Sequence, residues 1–294
     1  MAYYSAVSII YNPKSTGPSK AHAYLLARNL RKTSLKDYVK VLSTKYAGHG
    51  EDLAYQLAKA SPAPLIISSS GDGGYNDIIN GAMKAQEEGA HPVTGLLPAG
   101  NANDHYHNLH QASTESQILS GKTHEIDLLR LSVTGPDPWQ RYAHSYIGFG
   151  LTPKVGEELN KTDLNAFKEL VIAAKAFYDL KAIKLRIGDS VKQYDSLIFS
   201  NVQKMSKVLS LSDSAAMHDG KFEITIFPHR SKTKLMLTLL KAATKGLSVT
   251  NRASEFTFHT IEPLPVQLDG EISHIAAGSE VKVDVLPKAL SCVV

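Results

Sequence analysis

Through the first 125 residues, short apolar runs alternate with stretches whose apolar positions recur every three or four residues. Ala6–Tyr11 (AVSIIY) predicts a strand that stops at the chain-turning pair Asn12-Pro13. Residues 19–32 carry a one-turn spacing at Tyr24, Leu25, Arg28 and Lys32 and predict a helix. A second strand is predicted at Tyr38–Leu42, and a helix over 50–60 with Leu53, Ala54, Leu57 and Ala58 on one face. A third strand at Leu65–Ser68 leads to a helix from Tyr75, striped by Ile78, Ile79, Ala82 and Met83, and a fourth strand spans Val93–Leu97. Such alternation requires parallel strands joined by right-handed helical crossovers, so the first expectation is an α/β domain.

Beyond residue 125 the period changes. Residues 125–133, 142–150, 182–188, 194–202, 221–227, 254–261, 265–271 and 280–286 read as strands, many alternating with period two. Helical stretches interrupt them at about 155–181 and at 231–246 (SKTKLMLTLLKAATKG). Both are amphipathic, which suits core-facing helices and, as the alternative, docking at a membrane interface. The expectation is a nucleotide-binding domain over 1–125, to which the tail 285–294 can return, and a second, mainly antiparallel β domain over 126–284. The cleft between them is the default ligand site.

Composition narrows the function classes. With 294 residues, 43% apolar and 20% charged, the chain can build two ordinary cores, which excludes wholesale disorder and a fibrous repeat. The formal charge of +4 is too small to argue for nucleic acid, though it favours phosphate-bearing ligands and anionic lipid surfaces. Cys292 is the only cysteine, so no internal disulfide forms, as suits a reducing compartment. The opening residues carry too short an apolar run for a signal peptide, so none is expected, and no run reaches the roughly 18 apolar residues of a membrane span. A cytoplasmic protein is expected, with peripheral membrane contact left open.

The most informative stretch is PLIISSSGDGGYNDIINGAM (64–83): a buried strand, then Gly71-Asp72-Gly73-Gly74, then an amphipathic helix. Glycine lets backbone N–H groups approach a ligand, and a loop between strand and helix aims those donors and a positive dipole end at an anion. It is neither GxGxxG nor a P-loop. A tight turn with Asp72 capping the following helix is the alternative. Two other loops, Asn12-Pro13-Lys14-Ser15-Thr16-Gly17 and Leu97-Pro98-Ala99-Gly100-Asn101-Ala102-Asn103-Asp104, leave the same carboxyl edge of a parallel sheet, joined by Thr44. Together they point to a nucleotide-phosphate site. Of the twelve histidines, none shows tight metal-ligand spacing. His105, His107 and His110 read as surface, and His49 as structural.

These stretches resemble the diacylglycerol kinase catalytic-domain family, which includes the sphingosine kinases and bacterial relatives. NPKSTG (12–17), SGDGGYNDIING (70–81), LLPAGNANDHYHNL (96–109) and Leu268-Asp269-Gly270-Glu271 match the family's blocks in order, and Asp219-Gly220 resembles an internal DG. Ser70 stands at a usual glycine, Gly74 at a threonine or serine, Asp77 at a glutamate, and Asn101-Ala102 at a Thr-Gly or Thr-x pair. The resemblance implies a three-layer α/β domain with a parallel sheet, of the NAD-kinase and diacylglycerol-kinase type, followed by an antiparallel β-sandwich that takes the lipid. It implies transfer of the ATP γ-phosphate to a lipid hydroxyl, with Mg²⁺ accompanying the nucleotide, at a membrane surface. Relatives are often dimers.

The same resemblance distributes roles. Asn12, Pro13, Lys14, Ser15 and Thr16, with Thr44, would line the nucleotide. So would Ser70, Gly71, Asp72, Gly73, Gly74, Asn76 and Asp77, and Gly100, Asn101, Asn103 and Asp104. Asp72 would act through Mg²⁺ or on the incoming hydroxyl, since two anions repel. Asp269 and Glu271, two apart in a strand or at its end, would face one way and supply the base; an exposed hairpin turn is the alternative. Asp127 would support Asp269. Lys14 or Lys20 would neutralise the phosphate. Asp219 would hold a structural Mg²⁺, or form a metal-free turn. A nicotinamide-dinucleotide kinase and a non-catalytic nucleotide- or lipid-binding regulator are the competing readings.

Overall fold

The computed structural model describes residues 3–101, 103–109, 113–153, 181–205, 209–210, 218–229 and 251–293. The chain divides into two compact units, 1–127 with 287–294, and 128–286.

In the first unit, β1 (Ala6–Tyr11), β2 (Val39–Ser43), β3 (Pro64–Ser70) and β4 (Val93–Pro98) form a parallel sheet in the order β2-β1-β3-β4. Ser291–Val293, the end of β17 (Glu280–Val293), pairs in parallel with β4 as a fifth strand. The helices are α1 (Ser19–Leu30), α2 (His49–Lys59), α3 (Asp72–Glu87), α4 (Asp104–Leu109) and α5 (Thr114–Ser120). β3 is buried along its whole length, as a strand covered on both faces must be. Alternate residues serve the two faces: Val7, Ile9, Leu65 and Ile67 pack with Leu26 and Leu30 of α1 and Ile118 of α5, leaving Ile10 and Ile66 for the other face. α2 and α3 pack against each other and against β3. This is the expected three-layer arrangement.

The second unit is antiparallel and strand-rich. Its strands are the rest of β5 (His124–Thr134), β6 (Trp139–Ala143), β7 (Tyr146–Gly150), β8 (Ile183–Ile187), β9 (Ser190–Ser200), β10 (Lys204–Met205), β11 (Leu209–Ser210), β12 (Phe222–Pro228), β13 (Asn251–Ala253), β14 (Glu255–Thr260), β15 (Leu264–Leu268), β16 (Glu271–Ile275) and the first part of β17. β9 is the hub, pairing antiparallel with β7, β8 and β12. β15 lies between β7 and β16, and β14 between β8 and β17. The strands enclose one apolar core in which Phe149 meets Phe199 and Phe258, and Phe199 meets Phe222, all edge to face.

Several expectations change. Residues 142–150 are two strands, broken at His144-Ser145, and 265–271 is a hairpin turning at Asp269-Gly270, with φ 48° and 102°. α3 begins at Asp72 rather than Tyr75, and α4 and α5 are additional. The helical stretches at about 155–181 and 231–246 lie outside the described residues, residue 181 excepted. No described helix is long and apolar enough to cross a membrane.

Candidate active site

Within the first unit the three loops leave one edge of the sheet and lock to one another. Ala99 N donates to Ser70 O at 2.8 Å, and Gly17 N and Ser15 Oγ both donate to Ala99 O at 2.9 Å. A Cβ on Gly100 would lie 2.3 Å from Gly71 Cα, so the second and third loops pass at a distance only glycine permits. Asn103, in the left-handed region at φ 52°, ties the third loop through 2.9 Å bonds from Gly100 N to its Oδ1 and from its Nδ2 to Gly100 O. In the first loop, Asn12 Oδ1 accepts Lys14 N–H at 2.9 Å, and the side chains of Lys14 and Thr16 stay exposed beside Pro13. Thr44 N donates to Tyr11 O at 3.0 Å, placing Thr44 on the same edge.

Gly71 precedes α3 with extended backbone, and Tyr75 N donates to Gly71 O at 3.1 Å. The N–H groups of Gly73 and Gly74 therefore sit in the first turn, ahead of any acceptor within the helix, where the helix dipole is positive. Asp72 is 9% exposed, and its carboxylate accepts Asp104 N–H at 3.0 Å and His105 N–H at 3.1 Å. It caps α4, not the helix that it opens, which corrects the capping alternative. Ser70 and Gly74 are complementary: a Cβ at 74 would lie 2.5 Å from Ser70 Oγ, which bonds Ser68 Oγ at 2.7 Å and Gly71 O at 2.9 Å. The hydroxyl side chain at 70 thus fills the space a side chain at 74 would take.

The remaining predicted residues spread around this cluster. Asn76 is fully buried, its carbonyl and Oδ1 accepting from Asn80 Nδ2 at 2.9 and 3.0 Å. Asp77 is half-buried against Gly50 of α2. Asn101 is exposed, and Asp104 buried. Asp127 is fully buried, and its Oδ1 accepts Lys288 N–H of the returning tail at 2.8 Å. His105 is also buried, 4.8 Å from the Tyr75 ring, contrary to its reading as surface; His107 is exposed and His110 lies outside the described residues. No local signal marked His105, because α4 itself was unmarked.

The second unit holds Asp269 and Glu271 on opposite sides of the β15–β16 turn, with Leu268 paired to Glu271. They do not share a face through strand alternation, which corrects that premise. Asp269 is fully buried: its Oδ1 accepts Ser145 and Tyr146 N–H, both at 2.9 Å, its Oδ2 accepts His144 N–H at 2.7 Å, and His144 Nε2 lies 3.3 Å away. Glu271 retains surface open to solvent, yet the protein around its carboxyl raises its pKa, with the Arg141 guanidinium pulling it partly back. The polar pair His144-Ser145 inside an apolar run was the available signal for this clamp. Arg141 carried none.

Asp219, the residue expected at a structural metal, has its Oδ1 accepting Lys221 N–H at 3.0 Å and its Oδ2 engaged by Arg252 Nη2. Among the described residues, no three His, Cys, Asp or Glu side chains are grouped to hold a metal ion.

The fold defines a two-unit α/β plus antiparallel-β protein whose three loops meet at one edge of the parallel sheet. Residues 6–131 match the family model of the diacylglycerol kinase catalytic domain. The whole chain is similar to "Probable lipid kinase YegS" of Salmonella heidelberg (strain SL476), 25% identical over 302 positions covering 99% of this chain and 97% of the relative. The relative of the same name from Salmonella arizonae is 25% identical over 77% of each chain. Among solved structures, "A putative diacylglycerol kinase from Bacillus anthracis str. Sterne" shares the fold, with a TM-score of 0.73 at 19% identity over 99% of this chain and 97% of that one.

Proposed function

We propose that this chain is a lipid kinase that transfers the γ-phosphoryl group of ATP to a lipid hydroxyl. The observation that carries the reading is the unsatisfied first turn of α3, at Gly73 and Gly74, set among three loops fixed by their own backbone bonds. Donors held in place before a phosphate arrives need no reorganisation when charge develops on it. Mg²⁺ arrives with the nucleotide as part of the substrate and neutralises phosphate charge. Lys14 and Thr16, exposed on the first loop, are positioned to join the phosphate contacts.

In the transfer, the acceptor oxygen bonds to the γ-phosphorus while the bond to the β–γ bridging oxygen breaks, and ADP leaves with that electron pair. The acceptor's proton needs a carboxylate with a raised pKa. Asp269 is spent on three backbone N–H donors, so Glu271 suits the task better. Asp72 then positions the third loop through α4, and Asp127 holds the returning tail. An acceptor with acyl tails brings the enzyme to a membrane surface, in keeping with relatives named probable lipid kinases along their full length.

The test is incubation of the full chain with radiolabelled ATP, Mg²⁺ and vesicles carrying diacylglycerol, a sphingoid base or phosphatidylglycerol, with NAD in parallel. Label in a lipid product is expected. Label in NAD alone, or in no acceptor, overturns the reading.

A further inference from the structure

The face of β9 and β12 turned away from the apolar core carries side chains that the proposed chemistry does not use. Ser200 pairs with Glu223 and Ile198 with Thr225, so Ser200, Glu223 and Thr225 share one face, while Phe199, Phe222 and Ile224 fill the core on the other. The row extends to Tyr146 beside Ser200 and to Arg252 beside Glu223. Tyr146 N–H is one of the donors that hold Asp269.

Ser200 and Glu223 have no exposure, and Thr225 has 6%. Among the described residues, Ser200 Oγ, Thr225 Oγ1 and Glu223 Oε2 lack a hydrogen-bond partner. Arg252 Nε forms an ion pair with Glu223 Oε1 at 3.2 Å, its Nη2 being engaged by Asp219. Burial raises the Glu223 carboxyl, which Arg252 opposes. Interiors seldom leave such atoms bare, because each forfeits its bonds to water. Three on adjacent residues of two paired strands suit a site that a ligand completes.

We propose that Ser200, Glu223 and Thr225 bind the hydroxyl-bearing polar head of the acceptor lipid, and that they select uncharged or cationic heads over anionic ones. The proposal rests on the lipid kinase reading above. A carboxylate accepts hydrogen bonds from alcohol groups, and serine and threonine hydroxyls both accept and donate. Glu223, buried in this row, repels a second anion when it is ionised.

The experiment compares the full chain with Ser200→Ala/Thr225→Val and with Glu223→Gln, measuring calorimetric binding of soluble dioctanoylglycerol, thermal midpoint, and the KM for lipid and for ATP. Since the two hydroxyls have no partner among the described residues, the double variant should keep or raise the thermal midpoint. Its affinity for dioctanoylglycerol should fall about tenfold or more, the worth of one lost hydrogen bond, with the ATP KM unchanged. Dioctanoyl phosphatidylglycerol should bind the native chain more weakly than dioctanoylglycerol. Native-like binding by the double variant, a lowered midpoint in it, preference for the anionic lipid, or no binding of dioctanoylglycerol by the native chain would each overturn the proposal. Dioctanoylglycerol that binds as expected but receives no phosphate would sink the kinase reading and leave the site standing.

Discussion

Asp72 and Asp269 look alike in the sequence, each an acidic residue beside a glycine, and the two units use them alike up to a point. Each carboxylate takes backbone N–H groups of a segment distant in the chain and so clamps two turns together. They differ in depth. Asp72 keeps 9% exposure and takes two donors from the start of a short helix, whereas Asp269 has none and takes three. An acidic motif residue can thus be spent on architecture, leaving the chemistry to its neighbours. In the proposed phosphoryl transfer, those neighbours are the N–H groups of Gly73 and Gly74 in the first unit and the carboxyl of Glu271 in the second.

This contrast breaks most readily at Asp269. Alanine there orphans three buried N–H groups, so a loss of about 3–5 kcal/mol in urea unfolding is expected. Asp72→Ala orphans two at a helix end and should cost about 1–3 kcal/mol. Equal losses at the two sites would dissolve the distinction.

Glu271→Gln sharpens it from the other side. The variant should fold normally and transfer phosphate about a hundredfold more slowly, or worse. Only the deprotonated carboxylate accepts a proton, and its pKa is raised. The native rate should therefore climb with pH through a range above the ordinary carboxylate value, and the glutamine variant should lose that rise. A rise that survives in the variant would assign the base elsewhere.

The smallest effect concerns the glycine loop. Gly74→Ala places a Cβ 2.5 Å from Ser70 Oγ and should cost about 1–2 kcal/mol through overpacking. Adding Ser70→Gly should recover most of it, and a double-mutant cycle measures the coupling. Additive effects would show that the two positions do not share one volume.

The parallel half was legible because β1, β3 and β4 are short apolar runs ended by glycine, proline and asparagine, and local chemistry alone sets those ends. Convergence of the three loops followed from parallel topology. The hairpin at Asp269-Gly270 hid inside an apparent strand, since PVQLDGE keeps its alternation up to the turn and positive φ leaves no mark beyond the Asp-Gly pair itself. Asp72 capping α4 was equally hidden, because its partners lie far along the chain at Asp104 and His105. Short helices such as α4 and α5 carry too few residues to show a period.

The pairing of Ser291–Val293 with β4 sets an order of events during synthesis. The ribosome must release the whole antiparallel unit before it releases the strand that closes the edge of the parallel one. Until then, β4 presents a row of unpaired amides to whatever else the cell contains. The half of the polypeptide that is made first is the half that is finished last.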